Sequence, residues 1–62
     1  MKTIKAIIVD DEENARLILK NFVSEYCPSV TIIAEADDVK SAVKLINKNE
    51  IDLVFLDIEM PN

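Results

Sequence analysis

Three carboxylates stand where apolar runs stop. Asp10 and Asp11 follow Ile4-Lys5-Ala6-Ile7-Ile8-Val9, and Asp57 follows Leu53-Val54-Phe55-Leu56. A single aspartate after a strand is ordinarily a turn residue or a helix cap. An adjacent pair is different, because only one of two neighbours can serve as an N-cap. If the two runs lie side by side, all three carboxylates share one crevice and repel each other. A hard divalent cation would relieve that repulsion. Mg²⁺ prefers oxygen ligands, keeps several waters, and is typically held by one or two carboxylates plus a phosphate. The third carboxylate is then free to be a nucleophile, since aspartate can form an aspartyl-phosphate.

The other acids have plainer readings. Glu12 and Glu13 suit the positive end of a helix dipole, with Asp11 as the expected cap. Asp37 and Asp38 open a second helix, and Asp52 reads as an exposed loop residue before a strand. Several chemistries are excluded outright. The 62 residues contain no Gly and no His, so Walker A loops, dinucleotide fingerprints and Ser-His or Cys-His catalysis are out. Cys27 is the single cysteine, which rules out an intrachain disulfide or a zinc-binding Cys cluster. Its plain reading is a half-buried small apolar residue. Seven basic against twelve acidic residues give a formal charge of -5, the wrong sign for a nucleic-acid face. No apolar run approaches the roughly 18 residues of a membrane span. A soluble, cytoplasmic protein without membrane contact is expected.

The elements that must position the three carboxylates follow from periodicity. Ile4 to Val9 is a short, mostly apolar run, the mark of a strand covered on both faces. Ala15, Ile18, Leu19, Phe22, Val23 and Tyr26 recur at helical spacing, and Pro28 with Cys27 before it ends that helix. Val30-Thr31-Ile32-Ile33-Ala34 reads as a second strand. Val39, Ala42, Val43 and Ile46 supply the stripe of a second helix, with Asn47-Lys48-Asn49 as its exit. Leu53 to Leu56 is a third, wholly apolar strand.

An order β-α-β-α-β implies parallel strands joined by right-handed crossovers. The first and third strands are the most apolar, so they belong side by side with the second outside, in the order 2-1-3. One helix then lies on each face. A topological switch point falls between strands one and three, where open α/β sheets bind ligands at the carboxyl ends.

Ile7-Ile8-Val9-Asp10-Asp11-Glu12, followed by Val54-Phe55-Leu56-Asp57-Ile58-Glu59-Met60-Pro61, resembles the receiver domain of bacterial two-component response regulators. Asp-Asp-Glu-Glu-Asn-Ala-Arg at positions 10–16, with Phe-Leu-Asp-Ile-Glu-Met-Pro at 55–61, is most similar to regulators carrying a LytTR-type DNA-binding effector. The resemblance implies a flavodoxin-like (CheY-like) α/β fold. It implies that Asp57 accepts a phosphoryl group from the phosphohistidine of a sensor histidine kinase, with Mg²⁺ as cofactor. Asp11 would bind the metal directly and Asp10 through a water, with Asp57 and the backbone carbonyl of Glu59 completing the protein's share. Met60-Pro61 match the turn that begins the next loop. The family is a signalling module rather than an enzyme.

The resemblance covers residues 1–62 as a partial receiver domain, with no second domain. A receiver continues with two more strands and three more helices, including a Ser or Thr and a Lys that hold the phosphoryl oxygens. The chain is therefore expected to be an inactive half of the fold. DNA contact would come only through an effector domain outside it. Two alternatives stay open. One is a haloacid-dehalogenase-type phosphatase fragment, although that motif needs Asp where Glu59 stands. The other is a self-associating structural half-domain without activity, a homo-oligomer joined through the exposed third strand.

Overall fold

Residues 2–57 are described in the computed structural model. The elements run β1 (Ile4–Val9), α1 (Glu13–Tyr26), β2 (Val30–Ala36), α2 (Val39–Lys48) and β3 (Leu53–Leu56). Both strand pairings are parallel and the sheet order is β2-β1-β3, as the apolar content of β1 and β3 requires. β1 is the central strand of the three, and Ala6, Ile7, Ile8 and Val9 are all buried. Its alternation serves two faces. Ile7 and Val9 pack with Ala36 and with Ala42 of α2, flanked by Ala34, Leu45 and Ile51. Ala6 and Ile8 turn to the opposite side, which α1 covers and where Val23 is its buried residue.

β2 runs two residues beyond its expected end at Ala34 and includes Glu35 and Ala36. Pairing along the whole of β1 accounts for one addition and a bulge for the other. Ala6 pairs with Ile32 but Ile7 pairs with Ala34, so Ile33 is an extra residue. An extra residue reverses the facing of everything after it. Ala34 and Ala36 therefore join Ile7 and Val9 against α2. Glu35, paired with Ile8, faces α1 and finds two cations there.

Three helix expectations need correction. Asp11 does not cap α1. The N-cap is Glu12, whose own side chain makes no capping bond, and Asp10 Oδ1 instead accepts from the Glu12 N–H at 2.9 Å. The α1 stripe also splits into two ridges. Ala15, Leu19 and Val23 turn inward with Cys27, while Ile18, Phe22 and Tyr26 are exposed, the last two with ring centroids 4.9 Å apart. On α2 the inward residues are Ala42 and Leu45, whereas Val39, Val43 and Ile46 are exposed. The physical reason is width. Two strand spacings span roughly 10 Å, about one helix diameter, so this sheet seats one ridge per helix rather than a broad stripe. The caps of α2 are as its sequence suggests. Asp38 Oδ1 accepts from the Ser41 N–H at 2.7 Å, and Asn49 closes the other end.

Candidate functional site

Each acid of the cluster is placed by the sheet. The Asp10 N–H donates to the Ala36 carbonyl at 3.0 Å, continuing the β1–β2 ladder by one residue. The Asp57 N–H donates to the Val9 carbonyl at 3.1 Å and extends the β1–β3 ladder in the same way. Two carboxylates from distant parts of the sequence are thus fixed at adjacent strand ends. Asp10 then turns the chain: its Oδ1 takes the Glu12 N–H two residues on, the geometry of an Asx turn. That turn delays the start of α1 and leaves neither aspartate as its N-cap.

One carboxylate oxygen from each of Asp10, Asp11 and Asp57 lies within 4.8 Å of the others. Asp10 and Asp57 are half-buried and Asp11 is exposed. A cleft of about 250 Å³ opens beside them, floored by Ile8, Leu19 and Phe55 and edged by Asp10 and Asp57. It lies at the carboxyl ends of β1 and β3, the expected switch point. The donor set suits a hard cation. Opposite ligands on an octahedral Mg²⁺ are about 4.2 Å apart, at roughly 2.1 Å per bond. A triad reaching 4.8 Å fits a mixture of direct and water-bridged ligands.

The remaining expected ligand, the Glu59 carbonyl, lies outside the described residues, as does the turn at Met60-Pro61. Glu12 and Glu13 are exposed on the first turn, and Asp37 and Asp38 stand at the start of α2. Asp52 is exposed, yet its Oδ2 accepts from the Lys5 N–H at 2.9 Å and helps align the start of β3.

Three charged residues beside the site had no individual role in the sequence reading. Arg16 Nη1 donates to the Asp10 carbonyl at 2.6 Å, and its Nε donates to Glu35 Oε1 at 3.1 Å. Lys20 Nζ donates to Glu35 Oε2 at 2.9 Å. The Lys20 hydrogen bond is the main cause that holds the Glu35 carboxyl below its ordinary value; desolvation opposes it, and the Arg16 hydrogen bond adds to the lowering. Two signals were present. Arg16 and Lys20 are four apart on one helix face, and Glu35 is the one charged residue of β2.

A family model, the response regulator receiver domain, matches residues 6–62. An uncharacterized response regulatory protein of Vibrio cholerae is 37% identical over 60 residues, 97% of this chain and 23% of its own length. The sensory transduction protein LytT of Bacillus anthracis is 46% identical over 57 residues, covering 92% of this chain and 23% of LytT. A protein-glutamate methylesterase/protein-glutamine glutaminase of Geobacillus kaustophilus is 39% identical over 61 residues, 98% of this chain and 17% of the relative. The chain thus spans about a fifth of the length of these curated relatives. No solved structure gave a significant match. Among the described residues, no helix is long and apolar enough to cross a membrane. The parallel β2-β1-β3 sheet, the acids at its switch point and the family match converge, and they leave the haloacid-dehalogenase alternative without support. This chain belongs to the receiver domain family of two-component response regulators, whose members are phosphoryl-accepting signalling domains.

Proposed function

We propose that Asp57 is the phosphoacceptor and that Asp10, Asp11, Asp57 and the Glu59 carbonyl hold the Mg²⁺ on which acceptance depends. The observation behind this reading is the convergence of three carboxylates within 4.8 Å at the ends of β1 and β3. In the transfer, an Asp57 carboxylate oxygen attacks the phosphorus and forms the acyl-phosphate bond. The bond from phosphorus to the donor's leaving group breaks with its electron pair. Asp57 suits the attack because its backbone is locked to β1 and its position edges the cleft. Bound Mg²⁺ supplies charge neutralisation for the acids and the incoming phosphoryl oxygens. The donor is a sensor histidine kinase, and the module acts in the cytoplasm without an enzymatic activity on other substrates. A DNA-binding effector of the LytTR type, if joined to it, makes any DNA contact.

Acetyl phosphate with Mg²⁺ tests the acceptor. The intact protein gains one phosphoryl group by mass, and Asp57→Asn abolishes the gain. An unchanged mass shift in Asp57→Asn would refute the assignment.

A further inference from the structure

Asp10 is tethered at three of its groups. Its N–H goes to Ala36, its carboxylate takes the Glu12 N–H, and its carbonyl takes the Arg16 guanidinium. The third tether matters most for the neighbouring residue. A peptide unit is planar, so fixing the Asp10 carbonyl fixes the plane that carries the Asp11 nitrogen. Asp11 is exposed, and among the described residues no hydrogen bond reaches its carboxylate. Its direction is set through its backbone.

Arg16 is equipped for that task. Its side chain is only 16% exposed, and its Nε is held by Glu35 across the α1–β2 junction. Glu35 faces Arg16 because the bulge at Ile33 reverses the facing of β2. The path runs from the bulge to Glu35, to Arg16, to the Asp10 carbonyl and so to Asp11. Lys20 takes the other Glu35 oxygen and lies off that path. We propose that Arg16 is a positioning residue for the cation site, holding the Asp10–Asp11 peptide so that the Asp11 carboxylate is presented to Mg²⁺. This proposal rests on the reading of the three aspartates as a Mg²⁺ site.

The sign of the effect separates positioning from charge. Arg16 is a cation beside a cation site, so if only its field mattered, removing it would tighten Mg²⁺ binding. If it positions Asp11, removing it weakens binding, in the range of about 10- to 100-fold typical when a partner of a metal ligand is lost. Arg16→Met discards the charge and donors but keeps an apolar stem. Arg16→Lys keeps the charge but cannot bridge two acceptors with a planar fork.

Calorimetric titration of MgCl₂ into the intact protein, with a thermal melt of each variant, decides the matter. Arg16→Met and Arg16→Lys are expected to bind at least about tenfold more weakly. Lys20→Gln, which also removes a positive charge, should stay within about twofold of the parent. If Arg16→Met does not fold, Arg16→Lys carries the test. Folded Arg16 variants that bind Mg²⁺ as tightly as the parent, or more tightly, would overturn the positioning role and leave the Mg²⁺ site standing. A parent protein that binds no Mg²⁺ would overturn the site itself, and the role of Arg16 with it.

Discussion

Asp11 and Glu12 are adjacent acids of like charge and similar exposure, yet the fold gives them different work. Asp11 contributes an oxygen to the three-carboxylate cluster, whereas Glu12 is the N-cap residue of α1. Asp11→Ala should therefore weaken Mg²⁺ binding far more than Glu12→Ala, and equal losses in a titration would reveal only a diffuse acidic field. Glu35 supplies a pH prediction. Its carboxyl is held below the ordinary value of 4.5, first by Lys20 and then by Arg16. A depressed folded-state value contributes stability above the unfolded value and loses it as pH falls through the folded one. Melting temperature should drop on acidification below about pH 4.5, and Glu35→Gln should flatten that drop. The effect is small, because exposed ion pairs are well screened. Parallel curves for the two proteins would contradict it.

At the scale of elements, the core lies between α2 and the β1–β2 pair. Ile7→Ala should cost about 2–5 kcal/mol in urea unfolding of the intact protein. The half-exposed bulge residue is the control, and Ile33→Ala should fall within about 1 kcal/mol of the parent. Similar costs would mean that the bulge does not divide the faces as described. This division is also where sequence reading reached its limit. The bounds of β1 and β3 were legible because a continuous apolar run ended by acids has few other meanings. The end of β2 was not, since no residue type around Ile33 announces a bulge and strict alternation ran past it. Helical periodicity locates both helices but does not say which ridge the sheet seats: Leu45 packs on the core, whereas Val39 and Ile46 of the apolar stripe are exposed. The three aspartates were legible as a group because strand order alone brings them together. Arg16 was not, because its role depends on the bulge that turns Glu35 toward it.

Across the whole molecule, the apolar sequence of β3 contrasts with its position. Leu53, Val54 and Leu56 are 38–53% exposed at the edge of the three-stranded sheet, with no charge, Pro or Gly in the strand to discourage pairing. A polypeptide of these 62 residues alone should therefore self-associate through β3, most simply as a two-fold dimer. Sedimentation equilibrium at micromolar concentration would show it, and Val54→Lys should shift the equilibrium toward monomer. A cooperatively melting monomer, or a dimer indifferent to Val54→Lys, would contradict that expectation. The central claim is the proposal that the carboxylates of Asp10, Asp11 and Asp57, gathered at the carboxyl ends of β1 and β3, form one phosphoacceptor site. Its most direct test is chemical trapping in the intact protein. After incubation with acetyl phosphate and Mg²⁺, borohydride reduces an aspartyl-phosphate to homoserine, and peptide mapping locates the change. Homoserine at position 57, absent when the metal is chelated, is the predicted result. Homoserine at position 10 or 11, or the same yield at 57 without metal, would contradict the account.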